Sequence, residues 1–430
     1  MKKPKSIIEK ENSMLLIRVF SFSLKKLFEP YLVELFDKIC ELITDREEQV
    51  RNFTQNCIKS FMKELSGYGV KSIMPRLIKD LHSMNWRSKV VNIEILGQFA
   101  FCAPKQLSVY IPKVIKEIMI VFKDPHHKVQ ETAVNVLKDI SSVIKNPEIV
   151  ELSSLLIDAI SNPPENSKDA LTALLETDFK HAIDPPSLAL IIPIIDYNLK
   201  VDNEHLKKMA AHVIGSIANL IIDPIHIFHY LDIIMPNLKV ALFDGIPECR
   251  NAMSKAIGSL AKSLGEDYLK EIIVWLDQFL KYQSETVQKS GAAQAYSEIL
   301  VAMGDNFVDK ALPDIISKIQ DNDHIAKEGY LSIFVFLPGC MGEKFEKYFD
   351  LIFPLIIEAF SDDHENVRNV SNKIFEICIR LYAKRNTKQL LDPLLTRLFD
   401  SNWRIRNSSI ALISKFIFIY FYKDYKEINL

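Results

Sequence analysis

Apolar residues recur along this chain at the three- and four-residue intervals of amphipathic helices, and the pattern restarts at roughly forty-residue intervals. Between Ile111 and Phe122, the residues Val114, Ile115, Ile118, Met119 and Phe122 fall on one face. After a short turn, Val129, Ala133, Val136, Leu137 and Ile140 form a second stripe. Neither helix can bury its stripe alone, so each needs the other and the units need to stack. The same two-helix unit is legible from Pro30 (PYLVELFDKICELITDREEQVRNFTQNCIKSF), from Phe353 (FPLIIEAFSDDHENVRNVSNKIFEICIRL) and from Asp392 (DPLLTRLFDSNWRIRNSSIALISKF). In each, a first helix carries a proline and ends near an Asp. A second helix then opens on Val or Ile followed by a basic or polar residue.

Prolines set the period. Pro75, Pro112, Pro193, Pro236, Pro313, Pro354 and Pro393 lie 37, 81, 43, 77, 41 and 39 residues apart. Each long gap spans two units, one of which lacks its proline, near Leu155 and near Trp275. A proline costs little near a helix start and kinks the helix where it lies further in. The predicted fold is all-α, an α-solenoid (superhelix) of about ten helix-pair repeats of the HEAT or armadillo kind. No Ser/Gly-rich, Pro-rich or like-charged linker divides the chain. It therefore reads as one continuous array over 1–430, with units near 24–66, 67–104, 105–146, 147–181, 182–222, 223–265, 266–304, 305–342, 343–384 and 385–422.

Composition sharpens this reading. Only 12 of 430 residues are glycine, under half the usual share of roughly 7%. Phosphate-cradling loops, hairpins and parallel α/β units all use glycine, so turns made by Asp, Asn and Pro between helices are expected. The formal net charge of −2 argues against coating nucleic acid along the whole length, and no DNA partner is expected. Charge is uneven: residues 1–90 hold 17 Lys+Arg and 11 Asp+Glu. That basic end reads either as solvated charge or as a contact for RNA or an acidic protein surface. No apolar run reaches the ~18 residues of a membrane span. The basic N-terminus lacks a small-residue cleavage site, so a cytoplasmic chain is the expectation.

Chemistry is sparse. The six cysteines (Cys40, Cys57, Cys102, Cys249, Cys340 and Cys378) include no C-x-x-C pair, and Cys57, Cys102 and Cys378 read as small core groups. There is no G-x-x-x-x-G-K-[ST] loop and no G-x-S-x-G elbow. His226 and His229 stand three apart without the acid or third ligand of a metal site. A non-catalytic chain without cofactor or metal is the expectation.

Two residue patterns do stand out. The pairs Asp45/Arg51, Asp124/Lys128, Asp244/Arg250, Asp362/Arg368 and Asp400/Arg406 recur at the inter-helix turn. They read as a structural ladder in which each basic side chain meets an inter-helix Asp of its own or the next repeat. A W-R-x-[KR] element occurs twice, as Trp86-Arg87-Ser88-Lys89 and Trp403-Arg404-Ile405-Arg406. Two readings stand for it. Trp86, Arg87, Lys89, Trp403, Arg404 and Arg406 contact a ribosomal or protein partner, or the Trp caps the inter-repeat groove while the basic residues join the ladder.

Several stretches carry a closer resemblance: LFEPYLVELFDKI, LSGYGVKSIMPRLIKDL, NWRSKVVNIEILGQFAFCAPKQLS, HAIDPPSLALIIPI, KKMAAHVIGSIANL, QKSGAAQAYSEILVAMG, GYLSIFVFLPGCMGEKF and LFDSNWRIRNSSIALI. They resemble, in order from about Leu27 to Ile413, the central HEAT-repeat region of the general-control translational activator family. More weakly, the chain is similar to the helical-repeat domain of fungal elongation factor 3, although it has no ATPase cassettes. The first resemblance implies a ribosome-associated scaffold that promotes activation of the initiation factor two kinase under amino-acid starvation. It also implies an ATP-binding-cassette partner protein of the same pathway. Contact with the kinase would be indirect, because the family's kinase-binding segment lies beyond the matched region. The family protein is several times longer, and Phe416–Tyr422 (FIFIYFY) departs from its pattern. A piece of a longer chain and a reduced protein are both open on this reading. The rival function is a generic HEAT-repeat adaptor, a transport or phosphatase scaffold.

Overall fold

The computed structural model describes residues 6–427 except 63, 229, 283 and 322. Among the described residues every regular element is a helix, and the chain folds as an all-α solenoid. Two compact units divide it: residues 1–201 with 220–234, and residues 202–219 with 235–430.

In the first unit the helices are α1 (Ile7–Leu24), α2 (Glu29–Ile43), α3 (Glu48–Met62), α4 (Gly67–Asp80), α5 (Trp86–Cys102), α6 (Pro104–Val121), α7 (His127–Ser141), α8 (Pro147–Ser161), α9 (Pro163–Glu176), α10 (Pro185–Lys200) and α12 (Ile225–Phe228). The pairs α2/α3, α4/α5, α6/α7 and α8/α9 are in contact. First helices stack on first helices (α2 on α4, α4 on α6) and second on second (α1 on α3, α3 on α5, α5 on α7). The stripes predicted for α6 and α7 face inward: Val114, Ile115, Ile118, Val129, Ala133, Val136, Leu137 and Ile140 are all buried. Each of these valine, leucine and isoleucine side chains contributes about 1.5–3 kcal/mol by leaving water.

Stacking in this unit changes at α10. All its residues from Pro186 to Leu199 are buried except Tyr197. A helix buried all round needs neighbours on every side, and α10 touches α6, α7, α8, α9 and α12.

In the second unit lie α11 (Glu204–Ala218), α14 (Pro247–Leu264), α15 (Glu266–Lys281), α16 (Thr286–Met303), α17 (Asp305–Ile319), α18 (His324–Met341), α19 (Phe349–Glu358), α20 (Glu365–Tyr382), α21 (Thr387–Thr396) and α22 (Trp403–Glu427). Helix α13 (Leu231–Ala241) crosses from the first unit to the second. The second helices form an unbroken stack, α11 on α14, α14 on α16, α16 on α18, α18 on α20 and α20 on α22.

The prolines lie deeper than a helix start. Pro75, Pro193, Pro236, Pro313, Pro354 and Pro393 are inside helices, where each leaves the carbonyl one turn earlier without its usual partner. Glycine also has a role that the Asp/Asn/Pro reading of the turns left out. Gly265 and Gly304, at φ of 82° and 93°, each end one helix and start the next. Side chains rarely adopt that backbone, so these tight reversals need glycine.

Candidate functional site

The inter-helix turns carry most of the candidate residues, and their geometry follows from one aspartate. Oδ1 of Asp45, Asp124, Asp244, Asp362 and Asp400 accepts from the N–H two residues on: Glu47, His126, Ile246, His364 and Asn402, at 2.9–3.1 Å. This closes a short turn that leads into the second helix. The third residue of that helix points inward, as Val50, Val129, Val367 and Ile405 are buried. The fourth residue returns to the turn. Arg51 Nη1 donates to the carbonyls of Asp45 and Arg46 at 2.9 and 2.7 Å. Arg250 bonds the Asp244 and Gly245 carbonyls, Arg368 those of Asp362 and Asp363, and Arg406 those of Asp400 and Ser401.

This corrects the expected ladder. The arginines hold backbone carbonyls of their own turn, not the Asp carboxylates. Lys128 is exposed and does not reach Asp124. Its place is taken by Gln130, whose Nε2 donates to the Asp124 carbonyl at 2.8 Å, because the returning side chain must sit six residues after the Asp, not four.

The carboxylates are met from the preceding repeat. Lys10 Nζ lies 2.5 Å from Asp45 Oδ2, Lys89 2.6 Å from Asp124, Lys207 3.1 Å from Asp244 and Lys327 2.7 Å from Asp362. Each lysine is the fourth residue of its own second helix, the same column as Arg51. One helical position therefore has two uses: arginine folds back on its own turn, and lysine reaches forward to the next. At Asp45 the Lys10 ammonium holds the carboxyl below the usual carboxylate range. At Asp124, Asp244 and Asp362 burial opposes ionisation, yet the lysine and the turn N–H outweigh it and the pKa is lowered. Asp400 is lowered by the Asn402 N–H and by Arg397, 2.8 Å away.

The six candidate contact residues separate accordingly. Lys89 is spent on Asp124, and Arg406 on its own turn. Arg404 reaches back 3.2 Å to Asp363 Oδ1 and 3.4 Å to the carbonyls of Ser361 and Asp362. The Trp86 ring stacks on His126 of the next repeat, with centroids 4.0 Å apart and planes 13° apart. Arg87 is exposed, its guanidinium carbon 5.0 Å from the Trp86 centroid. His324 and His364 repeat that stack at 3.6 Å. Trp403 is 64% exposed, with Arg404 5.9 Å from its centroid. The two W-R elements thus have different environments. Among the side-chain patterns that sequence reasoning missed are the forward lysines Lys10, Lys207 and Lys327. Their signal is a Lys 35–37 residues before four of the five turn aspartates, Asp45, Asp124, Asp244 and Asp362.

Among the described residues no group of His, Cys, Asp and Glu is arranged to hold a metal ion, and His229 lies outside them. No described helix is long and apolar enough to cross a membrane.

Two family models match: the EF3 N-terminal HEAT repeat over residues 1–137, and the Elongation factor 3/GNC1 HEAT repeat over residues 166–271. The stalled ribosome sensor GCN1 of Homo sapiens is 36% identical over 417 residues, 96% of this chain and 16% of that protein. The chain carries a GCN1-like HEAT-repeat region. The eIF-2-alpha kinase activator GCN1 of Saccharomyces cerevisiae is 33% identical over 93% of this chain and 15% of its own length. Elongation factor 3 of Gonapodya prolifera is 26% identical over 55% of this chain and 22% of its own. The GCN1-like chain therefore spans about a sixth of the GCN1 relatives it matches. Among solved structures, Kap121p bound to Ste12p aligns over 98% of this chain and 45% of that one, at 14% identity and a TM-score of 0.40; a likeness that low bears on neither fold nor function.

Proposed function

We propose that this chain is a non-catalytic, ribosome-associating segment of a cytoplasmic translational activator, acting in the response that switches on the initiation factor two kinase under amino-acid starvation. The carrying observation is the 36% identity over 96% of the chain to a relative named as a stalled ribosome sensor. The 33% match to a relative named as a kinase activator supports the same pathway. Mechanically, the repeats would act as one continuous array whose stacked helix pairs, locked in register by the lysine–aspartate rungs, hold partners at set spacings. An ATP-binding-cassette protein of the pathway is the proposed second partner, and the kinase would be reached indirectly.

Co-sedimentation of the purified chain with ribosomes at low and high salt tests this. Pelleting at low salt that weakens steeply with salt is expected of an electrostatic contact. Absence of the chain from the ribosomal fraction at low salt would falsify the reading. A second reading, a helical-repeat domain of the elongation-factor-3 kind, is favoured by the two family models. On that reading too the ribosome is the surface to be bound, and restoration of elongation activity to an elongation factor 3 lacking its own repeats would select it.

A further inference from the structure

The exposed side of α6 is a lysine stripe. Lys105, Val109, Lys113, Lys116 and Ile120 of α6, and Lys123 just past its end, are all exposed, and the four-, four-, three- and four-residue steps of the first five place them on one face of the helix. Over eighteen residues the face runs about 27 Å, at 1.5 Å per residue. Beside it, α4 packs on α6 and exposes Lys71 and Lys79. The nearby acids are engaged elsewhere. Glu117 pairs with His82 at 2.8 Å, and Asp37 and Asp80 both pair with Arg76. Among the described residues no carboxylate pairs with Lys113, Lys116 or Lys123. Lys113, Lys116 and Lys123, held close without a paired carboxylate, repel one another, and a polyanion would relieve that. This is unlike the turn lysines, each of which is matched to an Asp.

Resting on the ribosome reading above, we infer that the α6 stripe, with Lys71 and Lys79, is the segment's contact with RNA, taking the phosphate backbone of a ribosomal RNA helix. The residue types favour RNA over an acidic protein. Every cation is a lysine, a flexible point charge suited to sequence-independent phosphate contact, and none is the arginine fork that recognises carboxylates in pairs. Val109 and Ile120, 69% and 52% exposed, separate the lysines without adding a charge that would repel phosphate. The stripe leads into the α6–α7 turn, where His126 stacks on Trp86.

Fluorescence anisotropy with a short labelled RNA duplex tests the inference without ribosomes. The wild-type chain is compared with Lys113→Ala/Lys116→Ala/Lys123→Ala and with a control of equal charge change, Lys310→Ala/Lys373→Ala/Lys388→Ala, whose lysines are also exposed. The stripe variant should lose about tenfold or more in affinity, and its salt slope should fall by about three, one for each phosphate contact removed. The control should bind as wild type, and circular dichroism should show equal helicity in all three. Equal RNA binding by the stripe variant and wild type overturns the inference. So does tighter binding of wild type to polyglutamate than to RNA at matched ionic strength, which would assign the stripe to an acidic protein. Ribosome pelleting separates the two readings. A stripe variant that pellets like wild type overturns the stripe while the ribosome reading stands. A wild-type chain that binds RNA through the stripe yet never pellets overturns the ribosome reading alone.

Discussion

The ammonium of Lys89 lies 2.6 Å from Oδ2 of Asp124, a carboxylate only 6% exposed and 35 residues further along the chain. The other oxygen of Asp124 accepts from the His126 N–H at 2.9 Å, so one side chain both shapes its own turn and receives the neighbouring repeat. Lys89→Met keeps the aliphatic stem and leaves a sheltered carboxylate short of its cation, which costs about 1–3 kcal/mol. Arg87→Ala, two residues away on an exposed side chain, should cost no more than about 1 kcal/mol, the value of a surface cation–π contact. Urea midpoints of the two variants check this; equal losses would remove the distinction between rung and surface cation.

The turn aspartates also set an acid response. The pKa values of Asp45, Asp124, Asp244 and Asp362 are lowered in the fold. Their stabilising effect is therefore fully present above the usual carboxylate pKa, near 3.8, and fades as pH falls through the lower folded values. Asp139 and Glu298, raised by burial, act oppositely: their contribution is present below the usual carboxylate values and is lost as pH rises above them. The two windows do not overlap, so the urea midpoint should not fall between neutral pH and about 5, and should drop below about 4 as the rung aspartates protonate. Lys89→Met should show a shallower drop, because Asp124 then has less to lose on protonation. A midpoint that fell mainly between pH 7 and 5 would point to histidines in place of these carboxylates.

Glycines inside the second helices of the second unit differ in purpose. A Cβ on Gly329 would overlap the backbone carbonyl of Leu280, where the end of α15 presses on α18. Gly329→Ala should cost about 1–3 kcal/mol, since backbone rather than a flexible side chain must yield. At Gly215, inside α11, the nearest atom to a new Cβ is Ser259 Oγ at 3.7 Å, an ordinary contact. Gly215→Ala should instead gain about 0.5–1 kcal/mol by restricting the unfolded chain and favouring helix. Thermal unfolding of the pair should show opposite shifts, and shifts of the same sign would contradict the packing argument.

How far the sequence foretold this structure depends on whether a feature is periodic. The facing stripes of α6 and α7 and the buried Val50, Val129 and Val367 follow from spacing alone, because a helix face is a property of consecutive residues. The lysine rungs do not. Lys89 and Asp124 meet only when two repeats stack, and Arg51 and Lys10 occupy one column while making opposite contacts. Side-chain length and hydrogen-bond geometry decide between those contacts, and neither shows in a pattern of charge. Lys128 was misread for the same reason: charge drew attention to it, whereas the turn selects the position of the uncharged Gln130. The burial of α10 was visible in the apolar run LALIIPII (Leu188–Ile195), but a pairwise repeat template has no place for a helix with five helical neighbours.

The two tryptophans of the repeated W-R element should respond differently to removal. Trp86 is stacked on His126, and Trp86→Ala loses an aromatic pair worth about 0.5–1.5 kcal/mol beyond the buried area. Its effect belongs to stability, through register between α5 and α7. Trp403 is 64% exposed, and Phe399, four residues earlier in the chain, is 90% exposed. Large exposed apolar rings favour contact with a partner. Trp403→Ala should leave the unfolding midpoint within about 0.5 kcal/mol of wild type while reducing ribosome co-sedimentation, and Trp86→Ala should do the reverse. Measuring midpoint and pelleted fraction on both variants decides the matter: a Trp403→Ala chain that pellets normally returns this residue to the ordinary surface and leaves the α6 lysines as the contact to pursue.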